Sequence, residues 1–264
     1  MTAAIPDPSD DHLLAAELAE GAGAVLLDVR SRLEAEGATA AELKAAGDSA
    51  AHEYLMERLA AARPHDAILS EEGSGATGRT GTERLDHPRV WIVDPLDGTR
   101  EFSEPPRTDW AVHVALVSGG RPIAGSVALP AQGLVLNQVP APALPPAPPS
   151  RPRVIVSRSR PPEVALHLAE AIGGELVELG SAGAKVAAVV LGQADVYPHS
   201  GGQYEWDSCA PVAVATAAGL VATRLDGSPL VYNNADPYLP DLLVCHPNLA
   251  VEVRRELDQW LASR

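Results

Sequence analysis

The chain has 264 residues and a formal net charge of −15, and 46% of its residues are hydrophobic. This length fits one large domain or two closely packed halves with a sizeable core. The negative charge argues against nucleic acid and anionic membranes as partners. A phosphorylated substrate would bind only where cations or backbone N–H groups reverse the local field.

Cysteine usage and hydropathy narrow the class further. The two cysteines form no C-x-x-C pair, so neither a disulfide framework nor a zinc ribbon is predicted. No apolar run reaches the ~18 residues of a membrane-spanning helix. The acidic start of the chain lacks the features of a signal peptide, so a cytoplasmic location is expected.

Helical and strand patterns alternate along the first half. Apolar residues at helical spacing predict amphipathic helices over residues 11–36 and 49–62. Short apolar runs predict strands at 67–69 and 89–93, and the polar segment between them, 73–87, predicts a loop. Alternating side chains then predict a meander of strands from 110 to 139.

A proline-rich stretch, residues 140–152, contains seven prolines and predicts a stiff connection between two halves. The halves are expected to span 1–139, with the main metal-binding motifs, and 153–264, with Asp207 and substrate contacts, in one compact unit. The elements predicted for the second half are strands 154–156, 176–179, 194–197 and 242–245, helices 163–172, 182–191, 208–219 and 249–261, and a hairpin turn at 226–227. This alternation predicts a layered α/β (α+β) architecture.

The strongest chemical signal is W-I-V-D-P-L-D-G-T at residues 91–99. An apolar strand delivers Asp94 to its end, Pro95 stops the ladder, and Asp97 follows three residues after Asp94. Two carboxylates on a tight turn suit a hard divalent cation, and the next glycine and Thr99 can present N–H groups to a phosphate. Taken alone, the run also fits a solvated turn.

Two further acidic clusters sit at element ends. Glu71 and Glu72 follow a predicted strand. Asp207 precedes the predicted helix 208–219 as a natural N-cap, with Pro211 in the first turn. Each cluster alone fits an ordinary surface or capping role.

If these clusters converge in the folded chain, they indicate a metal site. Glu71, Asp94, Asp97 and Asp207 would then bring about four negative charges together, which only bound cations would make tolerable. Two magnesium ions would offset that charge and attract a phosphate.

Other motifs are discounted. The G-x-G-x-x-G at residues 73–78 is not followed by an apolar helix, so it does not predict a dinucleotide site. The histidines are scattered, which disfavours a zinc site, and His113 is predicted to be structural or on the surface. Phosphatases of the haloacid dehalogenase type, which form an aspartyl-phosphate, have acids two residues apart, whereas here the spacing is three.

Three motifs together resemble the inositol monophosphatase superfamily of magnesium-dependent, lithium-sensitive phosphatases: E-E at 71–72, D-P-L-D-G-T at 94–99 and W-D-S-C-A-P at 206–211. Within that superfamily, the chain resembles the CysQ-type 3′(2′),5′-bisphosphate nucleotidases. That similarity is carried by D-P-L-D-G-T-R-E-F (94–102), V-S-R-S-R (156–160), G-S-A-G-A-K (180–185), E-W-D-S-C-A-P (205–211) and R-L-D-G-S-P-L-V-Y-N (224–233). The resemblance implies a five-layer α-β-α-β-α sandwich of the inositol monophosphatase/fructose-1,6-bisphosphatase type and a homodimer.

The resemblance also implies hydrolysis of 3′-phosphoadenosine 5′-phosphate to AMP and phosphate with two or three Mg²⁺ ions, and activity on 3′-phosphoadenylyl sulfate. The implied metal ligands are Glu71, Asp94, the Leu96 carbonyl, Asp97 and Asp207. The implied catalytic residues are Thr99, which would orient the attacking water, Asp48, which would support Thr99, Glu71 and Glu72. The candidate substrate contacts are Leu96, Asp97, Gly98, Thr99, Arg100, Arg158, Ser181, Lys185, Glu205 and Asp207, with Lys185 assigned to the second phosphate.

Alternatives remain within this reading. Inositol 1-phosphate and fructose 1,6-bisphosphate are competing substrates of the same superfamily. A metal-dependent nucleotide sensor without catalysis is the non-enzymatic alternative. The segment around Asp48, L-K-A-A-G-D-S-A-A-H-E, also departs from the K-x-D-x-S-x-V-T-x-A-D run of many relatives.

Overall fold

The structure is a computed structural model that describes residues 8–72 and 81–263. The helices are α1 Pro8–Ala35, α2 Ala40–Ala62, α3 Thr99–Phe102, α4 Glu163–Ala171, α5 Ala182–Val190, α6 Glu205–Ala217 and α7 Ala250–Ala262. The strands are β1 Ala67–Ser70, β2 Val90–Asp97, β3 Ala111–Ser118, β4 Arg121–Leu129, β5 Leu134–Asn137, β6 Arg153–Ser157, β7 Glu175–Leu179, β8 Val196–Tyr204, β9 Val221–Thr223 and β10 Tyr238–Cys245.

The strands form two five-stranded mixed sheets. The first sheet has the order β1-β2-β3-β4-β5, in which only β1 and β2 are parallel. The second has the order β7-β6-β8-β10-β9. Strands β7, β6 and β8 are parallel to one another, and β10 is antiparallel to both of its neighbours, β8 and β9. The proline-rich residues 140–152 join the sheets without regular structure of their own.

Three apolar cores hold five layers together. One core, with Leu26, Leu55 and Trp91, lies between the first sheet and the pair α1 and α2. The middle core joins both sheets to α5 and α6, and a third joins the second sheet to α4 and α7. The order is therefore α-β-α-β-α, which confirms the predicted five-layer fold.

Helix α2 begins earlier than predicted. It starts at Ala40 rather than at Ser49, because Thr39 and Glu42 form a capping box in which each side chain accepts from the other's backbone N–H. Gly47 allows close packing, since a Cβ there would lie 2.7 Å from Phe102. Asp48 consequently lies within helix α2.

Helix α6 also begins earlier, and this corrects the predicted role of Asp207 as an N-cap. Tyr204 is the N-cap, Asp207 is the third helical residue, and its Oδ2 accepts from Tyr204 N at 2.6 Å. Pro211 therefore lies inside the helix and not in its first turn. The extended pairing of β8 with β10 carries the strand to Tyr204, directly against the helix start.

Two other local predictions were wrong. Pro95 does not end the ladder: β2 continues to Asp97 through an irregularity between Asp94 and Asp97. The turn at residues 226–227 does not return as a neighbouring strand, because β9 pairs with β10 instead. The loop predicted over 73–87 falls largely outside the described residues, and its described part contains the 3₁₀ helix Glu83–Asp86. In the described ranges, no helix is long and apolar enough to cross a bilayer.

Candidate active site

The irregularity in β2 builds the centre of the site. Asp94 pairs with His113 of β3, and Asp97 pairs with Ala111. The two β2 residues between these aspartates therefore lie opposite the single β3 residue between His113 and Ala111. Leu96 N donates to Asp94 Oδ1 at 3.1 Å, and the Leu96 side chain is buried in the core. Both aspartates are buried, and the backbone between them is held in a fixed turn.

Three carboxylates from two elements converge here. Asp94, Asp97 and Asp207 each offer an oxygen, and these oxygens lie within 4.8 Å of one another. Burial and then the charge of Glu71 raise the pKa of Asp94 well above its usual value, whereas burial and the charge of Asp97 raise the pKa of Asp207 to about 7. Asp94 Oδ2 is buried without a hydrogen-bond partner in the described part of the chain. Crowded, repelling carboxylates with an unsatisfied oxygen fit a hard divalent cation.

Glu71 follows β1 beside this cluster. Its backbone N–H donates to Val93 O at 3.4 Å, and part of the residue remains exposed. Burial of its carboxyl group and then the charge of Asp207 raise the pKa of Glu71 to about 8. Glu71 therefore belongs electrostatically to the same cluster, and both Glu71 and the neighbouring Glu72 are exposed residues.

Asp97 differs from its neighbours because it faces donors. Its carboxylate accepts from Ser181 Oγ at 2.5 Å, Ala182 N at 3.1 Å and Gly183 N at 2.6 Å, all at the start of α5. Burial raises the pKa of Asp97, but the hydrogen bond and charge of His113 and the α5 donors outweigh it and hold the pKa at about 2. Asp97 is thus the carboxylate of the cluster most readily ionised.

Thr99 of α3 lies in contact with Asp48 of α2. Thr99 is the first residue of α3, and its Oγ1 lies 3.3 Å from Asp48 Oδ1 and 3.1 Å from Leu96 O. Gly98 precedes it with φ of 86°, a left-handed conformation that favours glycine. Burial and then the charge of Glu72 raise the pKa of Asp48 to about 6.

His113 contacts this site, although the sequence predicted only a structural or surface role. The side chain is 0% exposed, and its Nε2 lies 3.3 Å from Asp97 Oδ2. Burial lowers the pKa of His113, but the contact with Asp97 raises it and the net direction is upward. No local sequence signal could have found this contact, because it depends on the strand register that places His113 opposite Asp94.

A cavity of about 940 Å³ opens beside the carboxylates. It is lined by residues of both halves, among them Asp97, Gly98, Arg100, Arg160, Ser181, Lys185, Tyr197, His199, Asp207 and Trp260. Lys185 is buried, its ammonium donates to Gly180 O and to Ser181 O at 2.7 Å, and burial lowers its pKa. Cationic groups therefore face the cavity in a protein that is strongly acidic as a whole.

Four predicted substrate contacts are not among the residues that line the cavity: Leu96, Thr99, Arg158 and Glu205. Arg158 forms ion pairs with Glu101 at 2.8 Å and Glu104 at 2.6 Å, and it is not among the residues that line the cavity. Glu205 is buried against Asn233 and Asn234 and also lies outside the cavity lining. Arg100 lines the cavity while pairing with Glu104 at 3.1 Å.

Comparisons with known proteins identify the family that the sequence motifs resemble. The model of the inositol monophosphatase family matches residues 9–142 and 150–259. The 3′-phosphoadenosine 5′-phosphate phosphatase of Mycobacterium tuberculosis is 48% identical over 237 residues, which cover 87% of this chain and 86% of that protein. The 3′(2′),5′-bisphosphate nucleotidase CysQ of Escherichia coli K12 is 32% identical over 224 residues, which cover 81% of this chain and 86% of that protein.

Solved structures agree on the fold. CysQ from Bacteroides thetaiotaomicron is 27% identical, with a TM-score of 0.73, and the match covers 90% of this chain and 97% of that chain. The inositol monophosphatase from Anabaena is 23% identical, with a TM-score of 0.73, and the match covers 95% of this chain and 96% of that chain. The resemblance predicted from the motifs is confirmed, and the chain belongs to the inositol monophosphatase family.

Proposed function

We propose that the protein is a 3′(2′),5′-bisphosphate nucleotidase that hydrolyses 3′-phosphoadenosine 5′-phosphate to AMP and phosphate. The observation that carries the proposal is the convergence of Asp94, Asp97 and Asp207 at a cavity that also contains Lys185. The cavity thus has an acidic side for cations and a basic side for a second phosphate. Identity of 48% with a phosphatase of that name supports the choice of substrate.

The divalent cations would be held by oxygen ligands. We assign Glu71, Asp94, the Leu96 carbonyl, Asp97 and Asp207 to two magnesium ions, with at most a third, weaker one. When bound, Mg²⁺ supplies positive charge that offsets the charge of the phosphoryl group and favours ionisation of water. Burial and then repulsion between the carboxylates raise the pKa values of Asp94, Asp207 and Glu71, and bound cations would offset both effects.

Thr99 and Asp48 are assigned to the attacking water. The hydroxyl group of Thr99 has a single hydrogen, and it can donate this hydrogen to Asp48 or to Leu96 O. With that hydrogen donated, the lone pairs of Thr99 Oγ1 are left to accept from water and orient it. The N–H groups of Gly98 and Thr99 are assigned to the oxygens of the reacting phosphate.

Lys185 is assigned to the other phosphate of the substrate. An ammonium has three hydrogens, and two of those on Lys185 are used by the carbonyls of Gly180 and Ser181. The third is available to an anion in the cavity. Arg100 and Arg160 lie on the same cavity and would add attraction for a doubly phosphorylated ligand.

The test is phosphate release measured in parallel from 3′-phosphoadenosine 5′-phosphate, inositol 1-phosphate and fructose 1,6-bisphosphate. We expect the nucleotide to give the highest kcat/KM, an absolute requirement for Mg²⁺ and inhibition by lithium. Preferred turnover of either sugar phosphate would assign the site to another branch of the family. Tight nucleotide binding without phosphate release would support the sensor alternative. The homodimer stays a prediction from the resemblance, and light scattering would check it.

Asp94→Asn should remove the central carboxylate without changing its volume. We expect kcat to fall by about 10³-fold or more, because electrostatic stabilisation of the reacting phosphate is lost. The melting temperature of the metal-free variant should not fall, since a buried, repelling carboxyl has been neutralised. Asp28→Asn on an exposed face of α1 is the matched control and should keep full activity. Near wild-type turnover of the Asp94 variant would refute the assignment.

A further inference from the structure

His113 occupies the space beneath the carboxylate cluster. It lies on β3 and is completely buried. Its Nε2 is 3.3 Å from Asp97 Oδ2, its Nδ1 is 3.0 Å from Trp206 O, and its Nδ1 is 3.9 Å from Asp94 Oδ2. One imidazole therefore faces two of the proposed metal ligands and the main chain next to a third, Asp207.

The contact with Trp206 fixes the ring orientation. A carbonyl oxygen only accepts, so Nδ1 carries the hydrogen and donates to Trp206 O. With Nδ1 committed to α6, Nε2 faces Asp97 on β2 at ion-pair distance without an aligned hydrogen bond in the described part of the chain. His113 thus links the strand that carries Asp94 and Asp97 to the helix that carries Asp207.

Helix α5 is shaped around the same ring. A Cβ on Gly183 would lie 1.9 Å from His113 Nε2, so only glycine fits while the ring holds this position. Gly183 N also donates to Asp97 Oδ2 at 2.6 Å. The start of α5 therefore donates to this carboxylate on one side, and the ring contacts it on the other.

We propose that His113 is a positioning residue that orients Asp97 and the start of α6 and so sets the affinity of the site for divalent cations. The proposal rests on the metal site assigned under the proposed function. Groups that orient metal ligands through hydrogen bonds are worth roughly 10- to 100-fold in metal affinity. The role assigned to His113 is therefore large enough to measure.

The experiment uses the full chain and Mg²⁺ alone. Calorimetric titration and the Mg²⁺-dependent rise in melting temperature are measured for the wild type, His113→Ala, His113→Asn and His113→Gln. The nitrogen of Asn can replace Nδ1 and that of Gln can replace Nε2, so the two variants separate the Trp206 contact from the Asp97 contact. We expect His113→Ala to bind Mg²⁺ at least about tenfold more weakly and His113→Gln to recover part of the loss.

His246→Asn is the matched control. His246 is also buried, but its Nε2 lies 3.2 Å from Pro145 O, away from the carboxylates. A purely structural histidine lowers the melting temperature of the metal-free protein and leaves Mg²⁺ affinity unchanged, as we expect for His246→Asn. The same result for His113→Ala would overturn the proposal.

Two outcomes keep the proposals distinct. If the wild type binds Mg²⁺ and the His113 variants bind it equally well, only the role of His113 fails. If the wild type itself gives no Mg²⁺ response, the metal site fails and this proposal fails with it. Should His113→Ala not fold, His113→Asn decides, because it keeps a donor for Trp206 and loses the reach to Asp97; unchanged affinity in that variant would refute the positioning of Asp97.

Discussion

Glu205 illustrates how a buried acid next to a proposed metal ligand is used for structure. Its carboxylate accepts from Asn233 N at 2.6 Å, Asn234 N at 2.8 Å and Asn234 Nδ2 at 2.7 Å. Arg84 holds the same loop from the other side by donating to the carbonyls of Asn234 and Ala235. Burial raises the pKa of Glu205 despite these donors. These contacts favour a structural role over the predicted substrate contact.

Glu205→Gln separates the two roles. A glutamine amide would place N–H groups against backbone N–H donors, and a mismatched buried pair costs about 1–3 kcal/mol. We expect a lower free energy of unfolding by urea, with KM for the nucleotide nearly unchanged. Glu178→Gln, an exposed glutamate on β7, is the control and should change neither quantity. A raised KM at unchanged stability would restore the substrate contact.

At the scale of elements, α5 starts inside the site. Ser181 is its N-cap: the hydroxyl accepts from Ala184 N at 2.9 Å and donates to Asp97 at 2.5 Å. This one hydroxyl group therefore caps the helix and orients a proposed metal ligand. Asp97 also receives two backbone N–H groups of α5, so helix and site are stabilised by the same contacts.

Ser181→Ala should therefore affect stability and catalysis together. Loss of an N-cap costs about 1 kcal/mol of stability, and loss of the Asp97 contact should lower kcat/KM. Thr39→Ala removes the N-cap of α2, far from the carboxylates, and should cost similar stability with no change in kcat/KM. Urea unfolding and steady-state kinetics of both variants give the comparison. Equal kinetics for the two variants would contradict a role for Ser181 in the site.

Element boundaries show where local sequence signals suffice. The capping box of Thr39 and Glu42 marks the start of α2 and is a local signal in the sequence, whereas the apolar spacing alone placed that start at Ser49. The start of α6 is different, because Tyr204 is not a typical cap and Pro211 suggests a first turn. Only the pairing of β8 with β10 shows that the strand runs directly into the helix.

At the scale of the whole molecule, the two halves share one site and one core. The middle layer of α5 and α6 packs against both sheets. Asp97 binds the start of α5, and Asp109 accepts from Gly180 N at 2.6 Å, so the first half contacts the second through buried hydrogen bonds. We therefore propose that residues 1–139 and 153–264 form one compact unit.

The charge cluster makes the stability of the metal-free protein depend on pH. The pKa values of Glu71 and Asp207 rise from 4.5 and 3.8 to about 8 and about 7, and that of Asp94 rises as well. A raised pKa means that the folded state binds more protons than the unfolded state. Its stabilising effect is present below the unfolded pKa and is lost as pH rises through the folded pKa. Asp97, with its pKa lowered to about 2, has the opposite sign and loses its contribution only in acid.

We expect the melting temperature of the metal-free protein to fall between about pH 5 and pH 8. Saturating Mg²⁺ should flatten this dependence, because cations stabilise the ionised carboxylates. Asp207→Asn should flatten it in the absence of metal, whereas the exposed substitution Asp28→Asn should leave it unchanged. Thermal melts in chelator and in Mg²⁺ across this range provide the measurement. A melting temperature that rises over the same interval would contradict the direction of these shifts.

The family, the layered fold and the acidic residues proposed as ligands follow from the sequence because their signals are local. A strand followed by D-P-L-D-G-T, and an acid at the start of a helix, are properties of consecutive residues. The convergence of Asp94, Asp97 and Asp207 could be inferred only from the charge they would otherwise leave uncompensated. The positions of His113 and Glu205, and the hydrogen bonds of Asp97 to the start of α5, were decided by tertiary structure. They depend on strand register and helix packing between residues far apart in the chain, such as His113 and Trp206, which are separated by 93 positions.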